Sequence, residues 1–163
     1  MNRVYTLLTA LLKAIDAQDP LQTRDETPAA RDETLDWERL HSASCARLGW
    51  LLALERGVDP ELAACAAAVH DYGRIITGRQ VKHAENGFLP VQAFLKGTGL
   101  FSGDEITEIA CAVKNHSNKT VVGTPLDEIV KDADVIDCYQ YGIPFDRPEK
   151  KDRYEAWLKS RNA

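Results

Sequence analysis

The sequence has little of several things that would place it quickly. Its 163 residues include four histidines and four cysteines, and no two cysteines form a Cys-x-x-Cys pair. Cys45, Cys65 and Cys111 lie among helix-forming, apolar neighbours. The thiols are therefore expected to be buried structural groups in a reducing cytosol. A basic excess is also missing: 20 Lys and Arg stand against 25 Asp and Glu, a net charge of -5. That argues against a binder of nucleic-acid duplexes, whose usual footprint is a basic stripe. A small phosphorylated partner remains compatible, because a bound metal supplies positive charge locally. Long apolar runs are absent too. The stretch 4–15 is too short to span a bilayer and lacks a small-residue cleavage site after it. It is expected to be a helix packed on a core, in a cytoplasmic protein with no membrane partner.

Strand-like alternation and internal repeats are likewise missing, so the elements are read as helices throughout. Val4, Leu7, Leu8, Leu11, Leu12 and Ile15 follow helical spacing, and a polar stretch with Pro20 and Pro28 follows over 16–33. A long helix is predicted over 34–56, with Gly57 past its end. Asp59-Pro60-Glu61 is a helix start that leads to His70 and Asp71. After a loop comes a helix over 82–96, which Pro90 either kinks or opens. Ser102-Gly-Asp-Glu105 reads as a capping box for a helix reaching His116. Thr124-Pro125 opens another to about 141, and Pro144 and Pro148 bracket a turn before a last helix over 149–161. The fold class expected is all-α, a single-domain bundle of about seven helices. Residues 1–36 form a helix and polar loop packed on a core over 37–141, and 142–163 form a C-terminal turn and helix.

The polar residues that fall on apolar helix faces carry the chemistry. Trp37, His41, Cys45, Leu48 and Leu52 share one face of the long helix. His70 continues the stripe of Leu62, Ala66 and Val69, and His116 continues that of Ile106, Ile109 and Val113. Leu126, Val130 and Ala133 mark the inner face of the later helix. Asp134 lies four residues beyond Val130 and faces inward, and Asp137 lies near that face. Asp132 lies roughly 200° round the helix from Val130 and should meet solvent. An inward carboxylate is costly unless paired or bound to metal. Inward imidazoles and carboxylates from different helices make a mixed nitrogen and oxygen set that suits a divalent first-row metal in a bundle core.

His41, then His70-Asp71, then Asp134, in this order and helical context, resembles the HD superfamily of metal-dependent phosphohydrolases. The stretch from His41 through Ser42-Ala-Ser-Cys-Ala-Arg-Leu-Gly49 looks like the first metal helix of that family. Asp59 to Gly73 looks like its second, and Lys131-Asp-Ala-Asp-Val-Ile-Asp137 like its final acidic motif. The resemblance spans roughly 37–141 and implies an HD-type helical bundle with His41, His70, Asp71 and Asp134 as metal ligands. His83-Ala-Glu-Asn-Gly87 and Val113-Lys-Asn-His116 resemble the extra histidines of members that hold two metals, with Asp71 bridging. That branch includes cyclic dinucleotide phosphodiesterases, dinucleoside tetraphosphate hydrolases and a few di-iron oxygenases. The Gly-Tyr-Pro element of the first group does not occur here.

The resemblance implies one or two divalent ions (Fe, Mn, Mg, Co, Ni or Zn) and a small phosphorylated, nucleotide-like substrate. Hydrolysis would proceed by attack of metal-activated hydroxide on phosphorus. Asp71 is placed nearest the attacking water, and Asp137 is expected to orient a ligand from behind. Arg74 and Lys82, which adjoin two of the ligands, are the preferred phosphate partners over Arg79, Lys114 and Lys119. Glu85 is a further candidate acid. The alternatives are a di-iron oxygenase on the same scaffold and a non-catalytic metal or nucleotide sensor. The tail, with Arg147, Lys150, Lys151, Arg153 and Lys159, is expected to be a solvated helix docked through Trp157 and Leu158.

Overall fold

A computed structural model describes residues 2–24 and 29–161. Among these residues there are eight helices and no strand. In chain order they are α1 (Arg3–Asp16), α2 (Leu35–Arg56), α3 (Pro60–Val69), α4 (Tyr72–Thr77), α5 (His83–Thr98), α6 (Gly103–Asn115), α7 (Pro125–Gln140) and α8 (Pro148–Arg161). The all-helical bundle expected from the sequence is the fold observed.

The helix starts follow local chemistry. Thr34 caps α2 through the Trp37 amide, and Asp59 caps α3 through the amides of Glu61 and Leu62. Capping boxes open α6 (Ser102 with Glu105) and α7 (Thr124 with Asp127). The Asn115 side chain also donates to Asp127, which ties the end of α6 to the start of α7. Gly57 ends α2 in the left-handed conformation that glycine adopts at least cost.

α3 is the central element. Every residue from Leu62 to Val69 is buried, not only the single stripe expected. Its alanines let neighbours approach closely on all sides. A Cβ on Gly49 of α2 would lie 2.9 Å from both the Ala63 carbonyl oxygen and the Ala67 Cβ. The α2–α3 pair is thus packed nearly backbone to backbone, and this sets the separation of His41 from His70. α1 covers α3 with Leu7, Leu11 and Ile15, all fully buried.

Several local expectations change or are settled. The loop expected after Gly73 contains the short helix α4. α5 runs through Pro90 from His83, so the proline does not open it. Asn86, one turn before Pro90, is exposed, so the backbone bond removed by proline lies on a wet side of the helix. α8 has no fully buried residue. Trp157 and Tyr154 pack on the core while Leu158 is 39% exposed. Arg153 fastens this helix by ion pairs to Glu128 and Asp132 and a bond to the Lys119 carbonyl. Asp132 is accordingly half-buried between Arg153 and Arg56 instead of meeting solvent, though it points away from the histidines. Within the polar stretch 16–33, the notional break at Pro28 lies outside the described residues.

Candidate metal centre

The bundle brings all four histidines and both selected aspartates to one place. His41 comes from α2, His70 from the end of α3 and Asp71 from the turn into α4. His83 opens α5, His116 follows α6, and Asp134 belongs to α7. Two glycines make the α4–α5 approach possible. A Cβ on Gly73 would strike the His83 carbonyl oxygen and lie 2.7 Å from the Gly87 nitrogen. The His-x-x-x-Gly spacing therefore has a physical sense: Gly87, one turn from His83, lets α5 lie against Gly73 and delivers His83 beside Asp71.

The tautomers follow from the partners of each Nδ1. His70 Nδ1 donates to the Ala67 carbonyl at 2.7 Å, His83 to Gln80 at 2.7 Å and His116 to Val113 at 2.6 Å. His41 Nδ1 donates to Asp137 Oδ2 at 2.6 Å. A carbonyl only accepts, so Nδ1 carries the proton and Nε2 of each neutral ring presents a lone pair. These Nε2 atoms converge. His41 and His70 approach to 3.1 Å, and His83 and His116 to 2.9 Å. Asp71 divides its oxygens between the pairs. Its Oδ2 lies 3.4 Å from His41 Nε2 and 3.1 Å from His70 Nε2. Its Oδ1 lies 3.0 Å from His83 Nε2 and 3.5 Å from His116 Nε2. Asp134 Oδ1 joins the first pair, 3.4 Å from His41 Nε2 and 3.8 Å from His70 Nε2.

Lone pairs facing one another at these distances repel unless a cation or protons intervene. Two ligands each about 2.1 Å from one ion, at octahedral to tetrahedral angles, lie about 3.0–3.4 Å apart. The donor atoms are consistent with divalent metal: Asp71, His83 and His116 lie within ligating reach of one another, and Asp71 and Asp134 place oxygens beside the Nε2 atoms of His41 and His70. Protons compete with a cation for these lone pairs. Burial opposes charge on His41, but Asp134, Asp137 and Asp71 outweigh it and hold its pKa well above the usual imidazole value. Burial is outweighed by Asp71 at His83 as well, which is also raised. At His116 burial prevails and pushes the pKa down to about 4. Burial would favour the neutral acid at Asp71 and Asp134. Arg74 and His70 reverse that for Asp71, and Lys119 and His41 reverse it for Asp134, so both stay well below the usual carboxylate range.

The supporting groups are as ordered as the ligands. Asp137 is fully buried behind His41. Arg74 is buried, and its donors are engaged within the protein: Glu38 takes Nε and Nη2, Gln80 takes Nη1, and Asp71 takes Nη2 at 2.5 Å. Arg74 therefore holds Asp71 in place. Lys119 is buried, donating to Asp134 Oδ2 at 2.5 Å and to the Lys131 carbonyl. This leaves Asp134 one oxygen for the cluster. Glu38 has no place in the sequence expectation, and Lys119 enters it only as a phosphate partner beside His116, not as the group that holds Asp134. Glu38 was within reach of the helix-face argument, since it lies one turn before His41 on the buried side of α2. Lys119 lies in the segment between α6 and α7, where helical periodicity offers no guide.

Asp71, His83, His116 and Asp134 form part of the lining of a cleft of about 370 Å³, together with Trp37, Arg74, Ser117, Cys138, Arg147 and Lys150. An adjoining recess of about 270 Å³ shares His83, Ser117, Arg147 and Lys150 and adds Lys82 and Glu85. Lys82 and Glu85 are exposed and sit in this recess rather than the main cleft. Arg79 pairs with Asp32, and Lys114 lies over the Phe88 ring. Trp37 stacks on His41 with ring centroids 4.8 Å apart. The cysteines are free. Cys45 and Cys65 are buried, while Cys111 and Cys138 are half-buried. Burial pushes the Cys45 thiol up to about 12 and raises that of Cys138, so neither is a thiolate nucleophile.

The HD domain profile matches residues 40–139. The chain belongs to the HD domain family. Among solved structures it is similar to one described as a predicted HD superfamily hydrolase from an uncultured Thermotogales bacterium. The two share 21% identity with a TM-score of 0.59, over 97% of this chain and 88% of the other. No curated protein matches the chain. The HD match includes all six convergent histidines and aspartates and stops before Arg147 and Lys150, which also line the cleft.

Proposed function

We propose that this HD protein is a metal-dependent phosphohydrolase acting on a small, nucleotide-like phosphoester or phosphoanhydride. The observation that carries the reading is the convergence of four Nε2 lone pairs on the two oxygens of one buried aspartate, at the floor of an open cleft. His41, His70, Asp71 and Asp134 would hold one divalent ion, and Asp71, His83 and His116 a second. Such ions supply Lewis acidity, which lowers the pKa of water and offsets charge developing on phosphorus.

The chain's own residues do the rest. Arg74 fixes the Asp71 carboxylate so that each oxygen serves one histidine pair. Asp137 and the three carbonyl acceptors hold every imidazole in the tautomer that offers Nε2. Trp37 gives the cleft an aromatic wall against which a planar group can pack. The test is metal content per chain by elemental analysis, joined to phosphate release from p-nitrophenyl phosphate and a panel of nucleotides. Two ions per chain and turnover that Asp71→Asn abolishes are expected. A metal-free chain after reconstitution would sink the reading. A carboxylate shared between two histidine sets also suits a pair of irons, so oxygen uptake without phosphate release would favour oxygenase chemistry.

A further inference from the structure

We infer that Arg147 and Lys150, from the segment that follows the HD domain, bind a second anionic group of the substrate and so set its specificity. The inference rests on the phosphohydrolase reading.

The argument begins with which cations a ligand can reach. Arg74 lines the cleft but makes four hydrogen bonds inside the protein. Lys119 is fully buried on Asp134. Arg147 and Lys150 line both the cleft and the adjoining recess, so they stand at the junction of the two. Their side chains are 40% and 22% exposed. Their partners are at least partly exposed, and one of them, Asp146, also lines both spaces and must give Lys150 up to an incoming anion. Arg147 donates to the Ser117 carbonyl at 3.3 Å and lies 3.4 Å from Glu149, and Lys150 pairs with Asp146, which is 63% exposed. Exposed pairs of this kind contribute little and yield readily to a competing anion.

Position supplies the second half of the argument. The hydroxyl of Ser117 lies 3.3 Å from both His83 Nε2 and His116 Nε2, and the carbonyl of the same residue holds Arg147. The guanidinium is therefore anchored on the same residue whose hydroxyl reaches two histidines of the cluster. A group reacting at the cluster and a second phosphate or carboxylate a few bonds away would engage both at once. An arginine fork and an ammonium together suit such an anion.

The test uses phosphonates, whose carbon–phosphorus bond resists hydrolysis, so binding is read without turnover. Propylphosphonate carries one anionic group; 1,3-propylenediphosphonate and 4-phosphonobutyrate carry a second. Isothermal titration calorimetry on the metal-loaded, full-length protein should show the two-anion probes binding roughly tenfold tighter than propylphosphonate. In an Arg147→Ala, Lys150→Ala double variant the preference should fall to about twofold or less. The single variants Arg147→Gln and Lys150→Met, each expected to lose about threefold, serve if the double variant folds poorly. Lys151→Ala is the control, since Lys151 is 61% exposed, pairs with Glu155 and lies off the cleft. No preference in the wild type, or a preference retained in the double variant, would overturn the inference. Hydrolysis of p-nitrophenyl phosphate by the wild-type protein, which needs no second anion, tests the underlying reading separately.

Discussion

At the scale of single residues, the centre is a set of lone pairs held in place by groups that are not ligands. Asp71 is the residue on which the two halves depend. Asp71→Ala should remove all bound metal, whereas His83→Ala or His116→Ala should lower the content from two ions to one. His70→Ala and Asp134→Ala should each empty the first cluster. Elemental analysis of the purified variants checks each outcome, and wild-type metal retention in the last two would refute the ligand assignment. Protons compete with metal for the same atoms. His41 and His83 are held above the usual imidazole value by neighbouring carboxylates. These two rings thus hold protons more tightly than an ordinary imidazole, and metal binding must displace those protons. Affinity should fall as the pH is lowered and the rings protonate, and titrations in buffers of different ionisation enthalpy would detect the protons released on binding. A pH-independent affinity would contradict the proposed competition.

At the scale of elements, geometry is set by how closely helices approach. Gly73 and Gly87 let α4 and α5 touch, and a methyl group on Gly73 has nowhere to go but into the His83 backbone. Gly73→Ala should cost about 3 kcal/mol in urea unfolding and also lower the metal content by moving His83. A loss of stability with both ions retained would mean that α5 repacks without disturbing the site. The cap of α7 offers a milder probe. Thr124→Ala removes the bond to the Asp127 amide and should cost about 1 kcal/mol, with metal content preserved, because Asp134 lies more than two turns away. These helices were largely legible in the sequence because caps, prolines and apolar spacing act over a few residues. α4 was missed because one and a half turns carry no periodic signal.

For the whole molecule, the buried cluster is a site of tension that a ligand relieves. Four imidazoles are buried with Asp71 and Asp137, Asp134 is 15% exposed at the cleft, and Arg74 and Lys119 balance the carboxylates. Metal binds only the folded arrangement, so it should raise the melting temperature in proportion to the logarithm of its concentration. The expected gain is about 2.7 kcal/mol at one hundred times the dissociation constant. Thermal melts with and without a chelator test this, and identical melts would show that the site does not couple to folding. No described helix is long and apolar enough to cross a membrane.

Some of this protein was determined by its sequence alone. Helical spacing put His41, His70 and His116 on inner faces and distinguished Asp134 from Asp132, because the period of 3.6 residues fixes direction once a helix is given. The order of those residues identified the family. What only the tertiary structure decided is which side chains meet across helices. That the oxygens of Asp71 divide between two histidine pairs depends on the approach of α4 to α5 through paired glycines. Arg74 is spent on Glu38 and Asp71, and buried Lys119 holds Asp134, because partners distant in sequence arrive at the same depth. The tail is the solvated helix expected, and it also lends Arg147 and Lys150 to the cleft lining, with Arg153 holding it to Glu128 and Asp132. Local chemistry propagates along a few turns of chain; the packing of the helices decides the rest.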